Sequence, residues 1–293
     1  MKILLTGGNG QVGWELQKTL ANLGDVIVLG REQLDLSQPK TLREVILNVE
    51  PKWIVNAGAH TAVDKAEQEP GLAFRVNAEA PRILAETSAE LDIKLIHYST
   101  DYVFDGTGHL PFREEAPIGP LNVYGASKAA GEAAIRAAHE KHLIFRTSWV
   151  YGHRDTNFFL TMQRLMSEKN ELRIVNDQIG APTWSRHIAE MTAHIMMQMN
   201  ASSLTSDHSQ LWGTYHLTSG GETSWYGFAE EILKALTLNN KPNLIPIPSN
   251  EYLLPATRPL NSRLSNEKLQ RMFGIKLPDW KITFNEMVAQ RCV

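Results

Sequence analysis

Short β-rich runs alternate with helical patterns through the first half of this 293-residue chain, and that rhythm leaves few folds open. Such alternation builds a parallel sheet with helices packed against its faces. Strands are predicted over residues 2–6, 25–29, 53–56, 94–99 and 143–146. Helices are predicted to begin near Gln11, near Pro39 with Ser37 as cap, near Leu72 and near Val123. In the third, Leu72, Val76, Ile83 and Leu84 recur at helical spacing and mark its expected buried stripe. Right-handed crossovers would bring every strand's carboxyl end to one edge, where sheets of this kind bind ligands.

After about Tyr151 the rhythm changes. A helix over 157–167 would carry Phe158, Phe159, Met162, Leu165 and Met166 on a broad apolar face. A strand near 172–175 follows, then the turn-rich run NDQIGAPTW and a helix from about 186 to 199. The polar segment 200–210 reads as an exposed loop. Residues 214–218 read as a strand able to rejoin the first sheet. The tail is punctuated by prolines and ends in a short helix after Trp280.

Gly7, Gly10 and Gly13 directly follow the first strand and open the first helix. Gly7 permits a tight turn, Gly10 lets backbone approach a pyrophosphate, and Gly13 lets the helix pack close to the strand. Gln11 and Val12 begin a helix whose N–H groups and dipole favour phosphate. The alternative is a glycine-rich loop without a ligand. The position between strand and helix favours a dinucleotide site. The expected class is therefore α/β: a Rossmann-type doubly wound parallel sheet with a smaller C-terminal α/β substrate domain. Residues 1–151, with about 187–218 returning, would form the coenzyme domain; about 152–186 and 219–293 would form the other.

At the end of the second strand stand Gly30 and Arg31, where an NAD-selective fold places an acidic residue for the ribose 2′-hydroxyl. Arg31 either faces a 2′-phosphate or is a solvated surface charge. The first reading favours NADPH, with NADH left open.

The net charge of −3 offers no broad basic surface for nucleic acid or membrane. An anionic substrate must then meet a few local arginines or helix N-termini. Cys292 is the single cysteine, so no disulfide forms within the chain, which fits a reducing compartment. The opening apolar run is too short for a signal-peptide core, and no stretch is long enough to span a bilayer. A soluble, cytoplasmic protein is expected.

Tyr124 and Lys128, in the run YGASK, lie about one helical turn apart. A free tyrosine has a pKa of ~10 and is a poor acid–base group near neutrality. A neighbouring ammonium favours the phenolate and should lower that value. Thr100, at the end of the fourth strand, offers a hydroxyl for a carbonyl oxygen, or serves as a strand-end cap.

The spacing GxxGxxG with YxxxK downstream resembles the extended branch of the short-chain dehydrogenase/reductase superfamily. The resemblance implies that Asp35, Leu36, Ala59, His60 and Thr61 line the adenine and nicotinamide ribose. His60 alone reads as a hydrogen-bonded structural histidine. It further implies that Thr100, Tyr124 and Lys128 are catalytic, with Lys128 also holding the ribose.

Over nearly its whole length the chain resembles the dTDP-4-dehydrorhamnose reductase family. The resemblance rests on TGGNGQVG, VNAGAHTAVDKAE, HYSTDYVFDG, PLNVYGASKAAGE, FRTSWVYG, NDQIGAPT and RPLNSRLS. It implies reduction of the C4 ketone of a dTDP-6-deoxy-4-ketohexose, the last step in making dTDP-L-rhamnose. Trp149 would contact the sugar nucleotide, Asp101 and Tyr102 would border the pocket, and Arg258 and Arg263 would meet the diphosphate. Each has a bland reading as a packing, loop or surface residue. Two related activities fit less well. Sugar-nucleotide 4,6-dehydratases place an Asp-Glu pair after the threonine, whereas Tyr102 follows Asp101 here. The 4-epimerases carry an acidic residue after the second strand, where this chain has Arg31.

Some relatives form a magnesium-bridged dimer through three glutamates. Here Glu15 remains, but Arg186 and Gln290 stand at the other two positions. An arginine repels a divalent cation, so no metal site is expected, and a monomer or metal-independent dimer is. The same fold also serves as the non-catalytic regulatory subunit of methionine adenosyltransferase, and a ketoreductase making another deoxysugar is a further reading.

Overall fold

All five strands predicted in the first half form, and a sixth from far downstream joins them. The computed structural model describes residues 1–201 and 209–290; most of the loop expected over 200–210, and Cys292, lie outside them. The strands begin with β1 (Lys2–Thr6), β2 (Asp25–Val28), β3 (Trp53–Asn56), β4 (Lys94–Thr100), β5 (His142–Thr147) and β6 (Val150–Tyr151). They continue with β7 (Glu171–Val175), β8 (Ile179–Gly180), β9 (Thr183–Trp184), β10 (Gly213–His216), β11 (Thr223–Ser224) and β12 (Asn243–Ile247). The helices begin with α1 (Gln11–Leu20), α2 (Leu42–Val49), α3 (Val63–Gln68), α4 (Pro70–Phe74), α5 (Ala80–Glu90) and α6 (Val123–Ala138). After them come α7 (Phe158–Glu168), α8 (Ser185–Ala201), α9 (Trp225–Ala235), α10 (Glu267–Phe273) and α11 (Trp280–Ala289).

Six strands pair in parallel in the order β10-β5-β4-β3-β1-β2. The order reverses between β1 and β3, so the crevice for a ligand opens there, at the strands' carboxyl ends. Leu4, Ile54, Leu95 and Ile144 face α2, α5 and α6 on one side. Ile3, Leu5, Val55, Ile96 and Phe145 meet α1, α8 and α10 on the other. Burial on both faces explains why these strands read as apolar runs. A further cluster joins α7, α9 and α11 through Phe159, Met162, Phe228, Ile232 and Phe284. Both α9 and β12 were unforeseen. Beyond α10, Ile275 and Leu277 pack with the sheet's own core.

The third predicted helix differs in detail. Residues 70–90 are helical, but Arg75–Glu79 form a π turn between α4 and α5. A π turn adds a residue to one turn and rotates the buried face. Ala73, Asn77, Ala80 and Leu84 are therefore buried, while Leu72, Val76 and Ile83 are only half covered. Ser37 caps no helix; its N–H is bound by Asp35 Oδ1 at 2.8 Å.

α6 is held against β5 by a buried ion pair. Arg146 donates from Nε to Glu132 Oε1 at 2.8 Å and from Nη2 to Oε2 at 2.6 Å. Its Nη1 donates to the Glu114 carbonyl at 3.0 Å, and its guanidinium lies 5.0 Å over the Phe104 ring. Removing one partner strands a charge out of water. Arg146→Leu should thus lower unfolding free energy in urea by about 3–5 kcal/mol. At the exposed Arg164–Glu168 pair, Arg164→Leu should change it by about 0.5 kcal/mol or less. Equal effects at the two positions would contradict this.

Candidate active site

The glycine turn is shaped for close approach. Gly7 has φ 68°, and a Cβ on Gly13 would lie 2.1 Å from the Gly7 carbonyl oxygen. The Gly10 N–H donates to that same oxygen at 3.0 Å. No described side chain caps α1 at Gly10, which leaves its first N–H groups without a side-chain acceptor. These features fit a dinucleotide. Gln11 ties the turn to the loop beyond β5, donating to the Val150 carbonyl at 3.4 Å and accepting from Asn157 Nδ2 at 3.0 Å. Val12 packs against the sheet core.

Arg31 projects into solvent, its Nε 3.4 Å from Asp35 Oδ2. Leu36 is buried beneath the loop after β3 and belongs to the core. Ala59 and His60 are half-buried and Thr61 is exposed. The His60 N–H donates to Asn77 Oδ1 at 2.8 Å, and its carbonyl accepts from Asn77 Nδ2 at 3.0 Å. Asn77 Nδ2 also donates to Ser127 Oγ at 3.0 Å. The π turn thus aims one buried amide at both the crevice loop and α6, which sequence reasoning missed.

Thr100 ends β4. Its hydroxyl donates to Asp101 Oδ1 at 3.1 Å and accepts from the Tyr102 N–H at 3.2 Å, so the capping role is real. Asn122 caps α6, accepting from the Gly125 N–H at 2.8 Å. A Cβ on Gly125 would lie 2.1 Å from the Tyr102 carbonyl oxygen, so glycine there lets α6 close on the threonine. The Tyr124 and Tyr102 rings meet edge to face with centroids 5.5 Å apart.

The phenol of Tyr124 is pushed up to about 12 by burial; a hydrogen bond with Thr100 pulls it back, and the Asp101 charge adds to the rise. The expected lowering by Lys128 is therefore corrected. Lys128 Nζ is turned to the sheet, donating to the Tyr98 carbonyl at 2.6 Å and lying 3.1 Å from His97 Nε2. Burial lowers Lys128 to about 8, opposed by the Glu132 charge. Tyr124 consequently stays protonated near neutrality, the form that can give a proton away.

Beyond Tyr102 opens a cavity of about 1310 Å³, lined among others by Phe158, Arg173, Trp225, Tyr252, Arg258 and Arg263. Trp149 (φ 48°) stacks on Trp225 with centroids 3.5 Å apart. Trp225, from the unforeseen helix α9, is the ring presented to the cavity. Arg258 forks onto Asp64, with Nη1 to Oδ1 at 2.7 Å and Nη2 to Oδ2 at 2.6 Å. Arg263 pairs with Glu222, and Arg173 with Glu251. Neither the Asp64 partner nor Arg173 was foreseen: Asp64 stands in the run VNAGAHTAVDKAE but meets Arg258 only through the fold, 194 residues on.

Glu15, Arg186 and Gln290 do converge. Arg186 Nε lies 3.4 Å from Glu15 Oε2, and its Nη1 donates to Gln290 Oε1. A guanidinium occupies the centre of that cluster.

A family model described as the RmlD substrate binding domain matches residues 1–292. The chain belongs to this family. A relative from Burkholderia thailandensis named dTDP-4-dehydrorhamnose reductase is 47% identical over 294 residues, covering 96% of each chain. The RmlD-family fold recurs in the crystal structure of a dTDP-4-dehydrorhamnose reductase from Clostridium acetobutylicum, with TM-score 0.92, 34% identity and full coverage of both chains. A Bacillus anthracis dTDP-4-dehydrorhamnose reductase in complex with NADP matches with TM-score 0.88, 34% identity and 99% of each chain.

In this RmlD-family site Asp101 is buried, and its Oδ2 has no hydrogen-bond partner among the described residues. Burial raises its carboxyl to about 6, against hydrogen bonds from Ser262 and Thr100. A folded-state pKa above the unfolded value of ~3.9 means the native state holds the proton longer, so stability falls as pH rises from about 4 to 6. Asp101→Asn should abolish that fall. Its stability relative to wild type should rise by about 3 kcal/mol between pH 3.5 and pH 7.5 in denaturant titrations. A pH-independent difference would refute it.

Proposed function

We infer that this chain is an NADPH-dependent oxidoreductase that reduces the C4 ketone of dTDP-4-dehydro-6-deoxy-L-mannose to dTDP-L-rhamnose. This is the last step of dTDP-rhamnose biosynthesis. The observation that carries the reading is the protonated phenol of Tyr124, coupled to the Thr100 hydroxyl and in edge contact with Tyr102 on the cavity wall. The relatives' names supply the sugar, and the bound NADP of the Bacillus anthracis structure supports the coenzyme.

Bound NADPH supplies the hydride, with NADH as the alternative donor. Gly7, Gly10, Gln11 and Val12 hold the pyrophosphate at the α1 N-terminus. Arg31 meets the 2′-phosphate, while Asp35, Leu36, Ala59, His60 and Thr61 border the adenine and ribose. Lys128 holds the nicotinamide ribose. The Thr100 hydroxyl and the Tyr124 phenol hydrogen-bond the ketone oxygen and polarise it. As C4 gains its new C–H bond, the Tyr124 O–H bond breaks and its proton goes to that oxygen. An alkoxide is far more basic than a phenolate, so this transfer runs downhill even from a phenol near 12.

Asp101, Tyr102 and Trp149 border the sugar, with Trp149 acting through Trp225. Arg258 and Arg263 take the diphosphate. Asp64 and the Ala256 carbonyl use three of the five N–H groups of Arg258, leaving two for an anion. The coenzyme region comprises 1–151 with about 187–218, and the sugar-nucleotide region about 152–186 and 219–293. The enzyme is cytoplasmic on this reading; no helix among the described residues is long and apolar enough to cross a membrane.

Tyr124→Phe keeps the ring packing and removes the proton. Turnover of the 4-keto sugar nucleotide should fall about 10²–10⁴-fold, with NADPH affinity by fluorescence unchanged. Full turnover in that variant would remove Tyr124 as donor. The chain is a monomer or a metal-independent dimer, because Arg186 pairs with Glu15 where a cation would sit. Sedimentation should be identical in magnesium and in chelator; a magnesium-induced dimer would overturn this assembly.

A further inference from the structure

A row of polar side chains interrupts the apolar sheet face beneath α6. Thr6 of β1, Asn56 of β3 and His97 of β4 are register partners on adjacent parallel strands. Each follows an apolar residue two positions earlier, Leu4, Ile54 and Leu95, on that same face. All three are at most 1% exposed. Thr6 Oγ1 lies 2.6 Å from Asn56 Oδ1, Asn56 Nδ2 lies 2.9 Å from His97 Nδ1, and His97 Nε2 lies 3.1 Å from Lys128 Nζ. At the far end, the Gly58 N–H donates to Thr6 Oγ1 at 3.3 Å. Gly58 is the residue that a Cβ on Gly7 would strike. The chain of contacts thus runs from beneath the glycine turn to the lysine, and β-branched apolar residues would fill the same row without needing partners.

The proton count makes this row more than packing. A neutral imidazole has one N–H and one acceptor nitrogen. The Asn56 amide group and the Lys128 ammonium would both donate to His97, which can accept from only one of them. Two arrangements resolve the conflict at His97. With Lys128 charged, it donates to Nε2, and the Nδ1–H donates to an Asn56 amide turned over so that its oxygen faces His97. The Asn56 NH₂ then donates to Thr6 Oγ1. With Lys128 neutral, it accepts from the Nε2–H, Asn56 Nδ2 donates to Nδ1, and the Thr6 hydroxyl donates to Asn56 Oδ1.

We propose that His97, backed by Asn56 and Thr6, is a positioning residue for Lys128, and that its tautomer switches with the lysine's proton. The proposal rests on the reading of Lys128 as the residue that holds the coenzyme ribose. The other groups around Lys128 are Tyr124 one turn before it, Glu132 one turn after it, and the neutral Asn77 of the π turn through Ser127. Glu132 is itself neutralised by Arg146 of β5 and Arg136. His97 is held neutral by burial and by the Lys128 charge, so it serves as a tautomeric partner and not as a second cation. The lysine's own lowering to about 8 brings the switch within reach of ordinary assay pH.

Two measurements on the full chain test this. The first is ring ¹⁵N NMR of wild type: His97 should change from the Nδ1–H to the Nε2–H tautomer as pH rises through about 8. One tautomer throughout pH 6–10 would overturn the switch. The second is steady-state reduction against pH, with folding checked by thermal melting. His97→Leu should lower kcat about ten- to a hundredfold, the loss expected for a buried hydrogen bond to a charged group, while KM for the sugar nucleotide stays within about twofold, since the mutation touches no substrate contact. The charged lysine loses an acceptor, so its pKa falls and the alkaline limb of kcat moves to lower pH. His97→Gln restores an acceptor near Nε2 and should recover most of kcat and the limb. Equal impairment in the Leu and Gln variants, or an unmoved limb in His97→Leu, would refute positioning. Lys128→Met separates the two ideas: undiminished turnover there would sink the reading of Lys128 itself.

Discussion

Lys128 carries an ammonium that is almost wholly out of water, and the architecture around α6 follows from keeping it there. An unpartnered buried cation is so unfavourable that it would lose its proton or unfold its surroundings. Three features oppose that outcome. The Tyr98 carbonyl accepts from it, His97 lies against it, and Glu132 one turn away contributes a negative charge. Glu132 can remain charged because Arg146 forks onto it from β5 and Arg136 of α6 pairs with it. α6 is thereby fixed to two strands at once, in rotation and in height. Tyr124 inherits that placement, since it stands one turn from Lys128 on the same helix.

The same burial acts differently on the phenol. A cation beside Tyr124 would favour phenolate, which suits removal of a proton from an alcohol. Here the lysine nitrogen faces the sheet, and desolvation keeps the phenol neutral. A neutral phenol beside a threonine hydroxyl suits delivery of a proton to a carbonyl oxygen. Acid–base poise and the direction of the proposed reaction agree, and the agreement comes from where one ammonium points.

Much of this was legible in the sequence, and what was not has identifiable causes. The strands were readable because both sheet faces are buried, so each appears as an apolar run bounded by turn residues. The glycine turn and YGASK were readable because their chemistry is local: three glycines at one strand end, two side chains one helical turn apart. The face of the third helix was misjudged because the π turn at Arg75–Glu79 shifts the period that the eye follows. The row of Thr6, Asn56 and His97 was invisible because it exists only through strand register, 50 and 41 residues apart in the chain. Trp225 was missed for a similar reason. Trp149 had a motif around it, whereas its stacking partner stands in a helix that no pattern announced.

On the proposed reading, the cavity arginines are how a chain of net charge −3 receives an anion. Arg258, Arg263 and Arg173 each face a carboxylate, from Asp64, Glu222 and Glu251 respectively. Three unpaired guanidinium groups around one cavity would repel each other and attract any passing anion. Paired, they are close to neutral, and the forks of Arg258 onto Asp64 and Arg263 onto Glu222 fix their guanidinium planes. A diphosphate does not displace such a pair outright. It adds to the N–H groups the carboxylate leaves free, so only an anion reaching more than one arginine at once gains enough to bind. A diphosphate linked to a sugar at one end and a nucleoside at the other has that reach; a lone phosphate has less. On the proposed reading, selectivity for the whole nucleotide sugar arises from arginines already partly satisfied, spaced across a cavity whose wall includes Tyr102, the ring in edge contact with Tyr124.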